Sequence, residues 1–137
     1  MLTYLDSNVL VQAATGANRQ IQTRALAIIT DPNRQFVSSL FSKMEVIPLA
    51  IHFGRGKERL FYETFFRRIQ TWIDPANIYD DAYQLACQHA LGAMDALHLA
   101  AAALCRRGIY FSRKTNQAVV SCVQASCFHL LICNLAS

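Results

Sequence analysis

Three acidic side chains in apolar surroundings have the residue type and the placement best suited to chemistry. Asp6 directly follows the apolar residues 2–5, Glu45 lies within the run 44–47, and Asp95 precedes the apolar residues 96–105. A carboxylate among apolar side chains is costly unless a cation or hydrogen-bond donors compensate it. Sites made only of oxygen ligands suit Mg²⁺ or Mn²⁺, and such ions can activate water for attack on a phosphodiester. If the three acids converge, the sequence predicts a divalent-metal site.

Each acid also has an ordinary structural explanation. An aspartate after a strand is about as often a helix N-cap, which would explain Asp6. Glu45 would be unremarkable if its helix turned that one position to water, and Asp95 in a first helical turn would interact favourably with the helix dipole. From the residues alone, these alternatives stay open.

Other common chemistries lack their motifs in this chain. Gly54 and Gly56 could begin a dinucleotide-binding fingerprint, but Arg59 stands where that motif needs a third glycine. The sequence also contains no phosphate-binding loop, no serine-hydrolase elbow and no zinc-protease HExxH motif. A receiver-like signalling domain built around Asp6 would need a second, adjoining acid, which is missing. The four histidines share no ligand spacing: His52, His89, His98 and His129.

Length and composition predict one compact domain over residues 1–137. The chain is 53% hydrophobic and only 16% charged, which argues against disorder. The net charge of +4 permits a polyanionic partner but does not by itself indicate one.

The chain carries no recognisable targeting or membrane signal. Residues 1–10 lack a basic leader, and the longest apolar run, 96–105, is far shorter than the roughly 20 residues of a membrane span. Five cysteines without any C-x-x-C pair suit reduced thiols in the cytoplasm better than a disulfide framework or a zinc site.

Apolar patterning predicts strands that alternate with helices. Strands are expected at 2–5, 35–38, 109–111 and 129–133, and the helices between them imply an α/β fold, a three-layer α/β/α sandwich around a central parallel sheet of four to five strands. Pro48 should bend or end the helix that carries Glu45. After Gly56, one long helix should carry the apolar stripe Phe61, Phe65, Ile69 and Trp72.

Three blocks of this sequence resemble the PIN domains, in particular the toxin ribonucleases of the VapC type. Residues 4–10 (YLDSNVL) are similar to the opening strand of that family, and residues 37–46 to its second block with a central glutamate. Residues 92–102 (GAMDALHLAAA) form the most specific block. The order and spacing of the blocks agree over residues 2–111.

The resemblance implies a metal-dependent endoribonuclease that hydrolyses RNA. In that reading Asp6, Glu45 and Asp95 are catalytic and hold Mg²⁺ or Mn²⁺, Asn8 orients the turn after the first strand, and Ser112 matches the family's hydroxyl residue. The resemblance also implies an antitoxin protein as partner. For the aromatic residues 61–72 it implies use as a homodimer or antitoxin surface, in preference to RNA binding by the interleaved arginines.

The end of the chain departs from the family pattern. Arg113 and Lys114 occupy places where family members commonly carry a fourth acid, so a second metal would lose a ligand. Residues 96–137 contain no acid, and we treat 112–137 as divergent. Two hypotheses follow: a PIN-type ribonuclease with impaired activity, or a catalytically inactive PIN-like module that binds an antitoxin or RNA.

Overall fold

The computed structural model describes residues 2–105 and 109–110, and these form a four-stranded parallel sheet covered by six α-helices. The strands are β1 (Leu2–Leu5), β2 (Gln35–Ser39), β3 (Thr71–Ile73) and β4 (Ile109–Tyr110). Their order in the sheet is β3-β2-β1-β4, and every neighbouring pair is parallel. The predicted α/β class with a parallel sheet is therefore confirmed. The strand expected at 129–133 lies outside the described residues.

Side chains on each strand alternate between the two faces of the sheet, as strand geometry requires. Leu5 and Phe36 enter one apolar core, and Tyr4 and Val37 enter the other. For the most part different helices cover the two faces of the sheet, so the described part of the chain has the three expected layers.

The first face of the sheet is covered chiefly by four helices: α1 (Ser7–Thr15), α2 (Arg19–Thr30), α3 (Leu40–His52) and α4 (Gly56–Arg67). Side-chain caps set the starts of the first three, since Asp6, Asn18 and Ser39 each accept a hydrogen bond from a backbone N–H of the first turn. Gly16 ends α1 in the left-handed conformation that glycine adopts without strain.

The second face is covered by α5 (Tyr79–His89) and α6 (Ala93–Cys105), which follow a short 3₁₀ turn at Pro75–Asn77. The small side chains Ala96, Ala100, Ala101 and Ala102 of α6 are almost fully buried. They allow the backbone of this helix to lie close to β1, and this closeness brings His98 to the sheet.

The structure differs from two predictions about helices, one wholly and one in part. The stripe after Gly56 is not a single helix, because α4 ends at Arg67 and Trp72 lies in β3. Phe65 and Ile69 are buried in the first core and Phe61 packs partly buried against it, so these members of the stripe stabilise this chain, whereas Trp72 is 38% exposed. Of the two effects expected from Pro48, it does not end its helix, because α3 continues through it to His52, and a bend at Pro48 stays a prediction.

The described residues include no helix that is both long and apolar enough to cross a membrane.

Candidate metal centre

Asp6 lies at the carboxyl end of β1 and caps α1. As it stands two residues after Tyr4, alternation along the strand directs it to the same side of the sheet as Tyr4. Its Oδ1 accepts hydrogen bonds from the Ser7 hydroxyl and from the Asn8 backbone N–H, both at 3.1 Å. The two explanations offered by the sequence, a helix cap and a functional carboxylate, are therefore compatible in one side chain.

Glu45 is brought to the same edge of the sheet by α3. Ser39 ends β2 and caps this helix, with its Oγ accepting from the Ser42 backbone N–H at 3.3 Å. Because β2 lies directly beside β1, the second turn of α3 stands next to the end of β1. The Glu45 side chain is 30% exposed, so it is reachable from solvent as well as from the buried residues behind it.

Helix α6 supplies the third side of the centre. Asp95 lies in its first turn and is partly buried, while His98 lies three residues later and is buried. Residues three apart on a helix share a face, so Asp95 and His98 lie on the same side of α6.

The imidazole of His98 joins the two acids from β1 and α3. His98 Nε2 lies 2.7 Å from Glu45 Oε2 and 3.7 Å from Asp6 Oδ1. Within the described residues, Asp6, Glu45 and His98 form a group whose ligand atoms all lie within 4.8 Å of one another, and Asp95 is not part of it. The centre thus contains two carboxylates and one imidazole from three different elements.

A buried cluster of hydroxyl groups lies on the far side of His98. Tyr4 Oη is 2.8 Å from His98 Nδ1, 3.0 Å from Ser39 Oγ and 3.1 Å from Ser42 Oγ. The two serine hydroxyls are 2.8 Å apart. Burial raises the pKa of the Tyr4 phenol well above its ordinary value, so this hydroxyl keeps its proton. The imidazole ring also contacts Phe41 edge-on, with centroids 5.0 Å apart.

The donor groups of this centre fit a divalent cation. Two carboxylates within 4.8 Å repel each other when both are ionised, and a divalent cation between them removes that repulsion. Their oxygens are the ligands that Mg²⁺ and Mn²⁺ prefer, and imidazole is acceptable to the softer transition metals. The partial exposure of Glu45 leaves room for waters or phosphate oxygens in the remaining positions.

The candidate residues named from the sequence have different outcomes. Asp6 and Glu45 are brought together, whereas the approach of Asp95 to this pair stays a prediction. Asn8 contributes its backbone N–H to Asp6, and the proposed role of its side chain stays a prediction. Ser112, Arg113 and Lys114 lie outside the described residues.

Sequence reasoning missed His98 as a member of the centre. Ligand spacing between the four histidines was uninformative, because the partners of His98 are acids on other elements. One signal was available: His98 is three residues after Asp95, which places it on the face of α6 that carries the predicted acid.

Comparison with known proteins defines the family. The family model of the PIN domain matches residues 3–113, most of the chain. The chain therefore belongs to the PIN domain family.

Two solved structures share the fold. One is a chain of a toxin-antitoxin complex from Klebsiella pneumoniae, with a TM-score of 0.64 at 21% identity over 86% of this chain and 91% of that chain. The other is a chain from the crystal structure of VapBC2 from Rickettsia felis bound to a DNA fragment from its promoter. It has a TM-score of 0.64 at 15% identity, over 87% of this chain and 93% of that chain. No curated protein sequence matches the chain significantly.

Proposed function

We propose that this chain is a metal-dependent endoribonuclease of the VapC toxin type, with Asp6, Glu45 and Asp95 as the catalytic carboxylates that hold Mg²⁺ or Mn²⁺. The observation that carries the proposal is the meeting of Asp6 and Glu45 at the carboxyl edge of a parallel sheet, where open α/β sheets bind ligands. Membership of the PIN family and the fold shared with chains of toxin-antitoxin complexes support it.

Each residue of the proposed centre has a separate task. Asp6, fixed by two hydrogen bonds, keeps a carboxylate in place at the end of β1. Glu45 offers a second carboxylate at the boundary with solvent, where a phosphate of an RNA strand can approach. We expect Asp95, one turn before His98, to approach the centre from α6. The bound cation would supply Lewis-acid stabilisation of the phosphodiester oxygens and would lower the pKa of a water.

Cleavage of a labelled single-stranded RNA tests the activity. We expect cleavage that requires added Mg²⁺ or Mn²⁺, stops with a chelator, and is lost in Asp6→Asn and Glu45→Gln. Asp31→Asn, which alters a surface ion pair with Arg34 before the amino end of β2, at the opposite edge of the sheet from the centre, is the control and should cut normally. Cleavage that persists in both centre variants would show a contaminating nuclease and would remove the support for this function.

A second candidate function is an inactive PIN-like module that binds an antitoxin or RNA without cutting it. It is favoured by one sequence observation, the basic pair Arg113 and Lys114 where an acid is common in the family. If the positive charges of Arg113 and Lys114 weaken metal binding at the centre, Arg113→Asp or Lys114→Asp should strengthen Mn²⁺ binding. Each exchange replaces a positive side chain, which repels the metal ion, with a negative one, which attracts it. A calorimetric titration in which neither exchange changes the affinity would mean that the pair is not near the centre.

The proposal extends to an antitoxin partner and to a homodimer. Several large apolar side chains are more than half exposed, and they differ from the stripe predicted from sequence: Leu40, Met44, Leu49, Ile51, Phe53, Leu60, Tyr79, Tyr83 and Leu104. Light scattering at micromolar concentration should give twice the 15.4 kDa mass of one chain. A mass of one chain at every concentration would eliminate the homodimer but not the antitoxin.

We place the protein in the cytoplasm. The two cysteines among the described residues, Cys87 and Cys105, are both free, as expected in a reducing compartment.

A further inference from the structure

Inside the second core, a chain of hydrogen bonds links the hydroxyl cluster to the edge of the sheet. It runs from Ser39 and Ser42 through Tyr4 Oη to His98 Nδ1, and from His98 Nε2 to Glu45 Oε2. Tyr4 is fully buried and His98 is 3% exposed, so solvent does not compete for the bonds that join Tyr4 to His98 and to the two serines.

The acceptors and donors of this chain define the proton position on His98. Ionised Glu45 can only accept, so the 2.7 Å contact requires a proton on Nε2. In the neutral ring, Nδ1 is then the acceptor for the Tyr4 hydroxyl proton at 2.8 Å. The Tyr4 oxygen in turn accepts from a serine hydroxyl, so every member of the chain has a partner.

The same geometry argues against His98 as a metal ligand. A metal on Nε2 would have to replace the proton that forms the 2.7 Å bond to Glu45. Hard cations such as Mg²⁺ and Mn²⁺ also favour the carboxylate oxygens that stand beside it. A histidine behind a carboxylate ligand can instead fix its orientation, as residues behind metal ligands commonly do.

We propose that His98, held in register by Tyr4, is a positioning residue: it donates its Nε2 proton to one oxygen of Glu45 and fixes this carboxylate for the divalent cation shared with Asp6. The proposal rests on the metal centre of the proposed function. It adds to that centre His98, which the three acids predicted from the sequence do not include. Tyr4 and His98 never touch the RNA in this account, and their effect on activity passes through Glu45.

A matched pair of tyrosine variants separates this role from a general loss of packing. Tyr4→Phe removes the hydroxyl that fixes His98, and Tyr62→Phe removes another buried hydroxyl on the opposite face of the sheet. In calorimetric titrations with MnCl₂, we expect Tyr4→Phe to weaken Mn²⁺ binding by roughly 10-fold. The Mn²⁺ affinity of Tyr62→Phe should stay within about twofold of that of the unaltered chain. Residues that support a metal ligand act by contacting it, and Tyr62 lies on the other face of the sheet from Glu45 and His98.

Two exchanges of His98 test whether the donated proton matters. Glutamine keeps an N–H donor of similar reach, and leucine has none. We expect His98→Gln to retain more of the Mn²⁺ affinity than His98→Leu, with both variants folded as judged by circular dichroism. A His98→Leu chain that binds Mn²⁺ as tightly as the unaltered chain would overturn the proposal.

Spectroscopy distinguishes a positioning histidine from a ligand. In the metal-free chain, nitrogen NMR shifts of His98 should show a protonated Nε2. Electron paramagnetic resonance of the Mn²⁺ complex should show no directly bonded nitrogen. An unprotonated Nε2, or a strong nitrogen coupling that vanishes in His98→Gln, would overturn the proposal.

The titrations also distinguish a failure of this inference from a failure of the proposed function. If the unaltered chain binds no Mn²⁺, the metal centre itself is wrong and the positioning role falls with it. If the unaltered chain binds Mn²⁺ and Asp6→Asn does not, but the Tyr4 and His98 variants bind normally, only the present inference is overturned.

Discussion

The two faces of the sheet are built from the same strands but by different means. On the first face, aromatic and aliphatic side chains of α1 to α4 form a core in which Phe65 packs against Phe36 and Phe66. On the second face, the apolar core continues into Tyr4, Ser39, Ser42 and His98, which are buried and hydrogen-bonded to one another. The first face therefore provides stability, and the second face combines stability with the placement of charged groups.

Buried polar groups persist where they are fully paired, and an unpaired member would be costly. The hydroxyl cluster of the second face is hydrogen-bonded to His98 through Tyr4. His98 in turn is hydrogen-bonded to the Glu45 carboxylate of the candidate centre. Changes on the two faces should consequently have different signatures: on the first face a loss of stability alone, and on the second face a loss of metal affinity.

The largest effect is expected from Phe65→Ala. Phe65 is 3% exposed, and its ring centroid lies 5.5 Å from that of Phe36. Removing a buried phenyl ring leaves a cavity and should lower the free energy of unfolding by about 3–5 kcal/mol. Urea denaturation measures this loss, and Mn²⁺ affinity of the folded fraction should not change.

Phe41→Ala is the corresponding exchange on the second face. The Phe41 ring contacts the His98 imidazole, so this variant should lose stability and Mn²⁺ affinity together. If Phe65→Ala weakened Mn²⁺ binding as much as Phe41→Ala, the distinction between the two faces would be lost.

Asp6→Asn should have the next largest effect, a loss of Mn²⁺ affinity of roughly 100-fold by analogy with the upper range for groups that support a metal. Asparagine caps helices about as well as aspartate, so α1 should keep its start and the stability should change little. Calorimetric titration and thermal unfolding measured on the same sample check both statements. A large loss of stability with unaltered Mn²⁺ affinity would show that Asp6 is only a cap.

The buried tyrosines predict how stability depends on alkaline pH. Burial, with a further contribution from the Glu58 carboxylate, raises the pKa of Tyr62 from its ordinary value of 10.0 to about 12, and burial likewise raises that of Tyr4. Because the folded state holds these protons more tightly, their stabilising contribution is complete below pH 10 and is lost as the pH rises towards 12. Tyr62→Phe should reduce this alkaline loss by about 1–2 kcal/mol.

The control for the alkaline prediction is Tyr79→Phe, because Tyr79 is 63% exposed. Urea midpoints measured from pH 8 to 11 should fall less steeply in Tyr62→Phe than in Tyr79→Phe. Parallel curves for the two variants would mean that the Tyr62 phenol is not held protonated by the fold.

The smallest effect is expected for Asp95→Asn, a loss of Mn²⁺ affinity of roughly 10-fold. Asp95 lies outside the group formed by Asp6, Glu45 and His98, so we expect it to act on the cation through a water. A loss as large as that in Asp6→Asn would show that Asp95 moves into direct contact when the metal binds.

Much of the architecture could be predicted from the sequence because its signals are local. The run 2–5 followed by a capping aspartate predicted β1 and the start of α1, and the alternation of strands and helices predicted a parallel sheet. Prediction failed where neighbours in space decided the outcome. The helical spacing of Ile69 and Trp72 was coincidental, since pairing with β2 draws Trp72 into β3.

The candidate centre was predictable to a similar extent. Asp6 and Glu45 were recognisable because each is an acid in an apolar run, and parallel strands bring their carboxyl ends to one edge of the sheet. His98 was not recognisable as a partner of Glu45, because the contact joins residues 53 positions apart and depends on the closeness of the alanine-rich α6 to β1.

Anomalous diffraction from a crystal grown with MnCl₂ tests the central claim most directly. The account predicts a manganese peak between the carboxylates of Asp6 and Glu45, with His98 Nε2 still hydrogen-bonded to Glu45 and not bonded to the metal. A crystal at high MnCl₂ concentration without a peak at this edge of the sheet, or with Asp6 and Glu45 turned away from the peak, would contradict it.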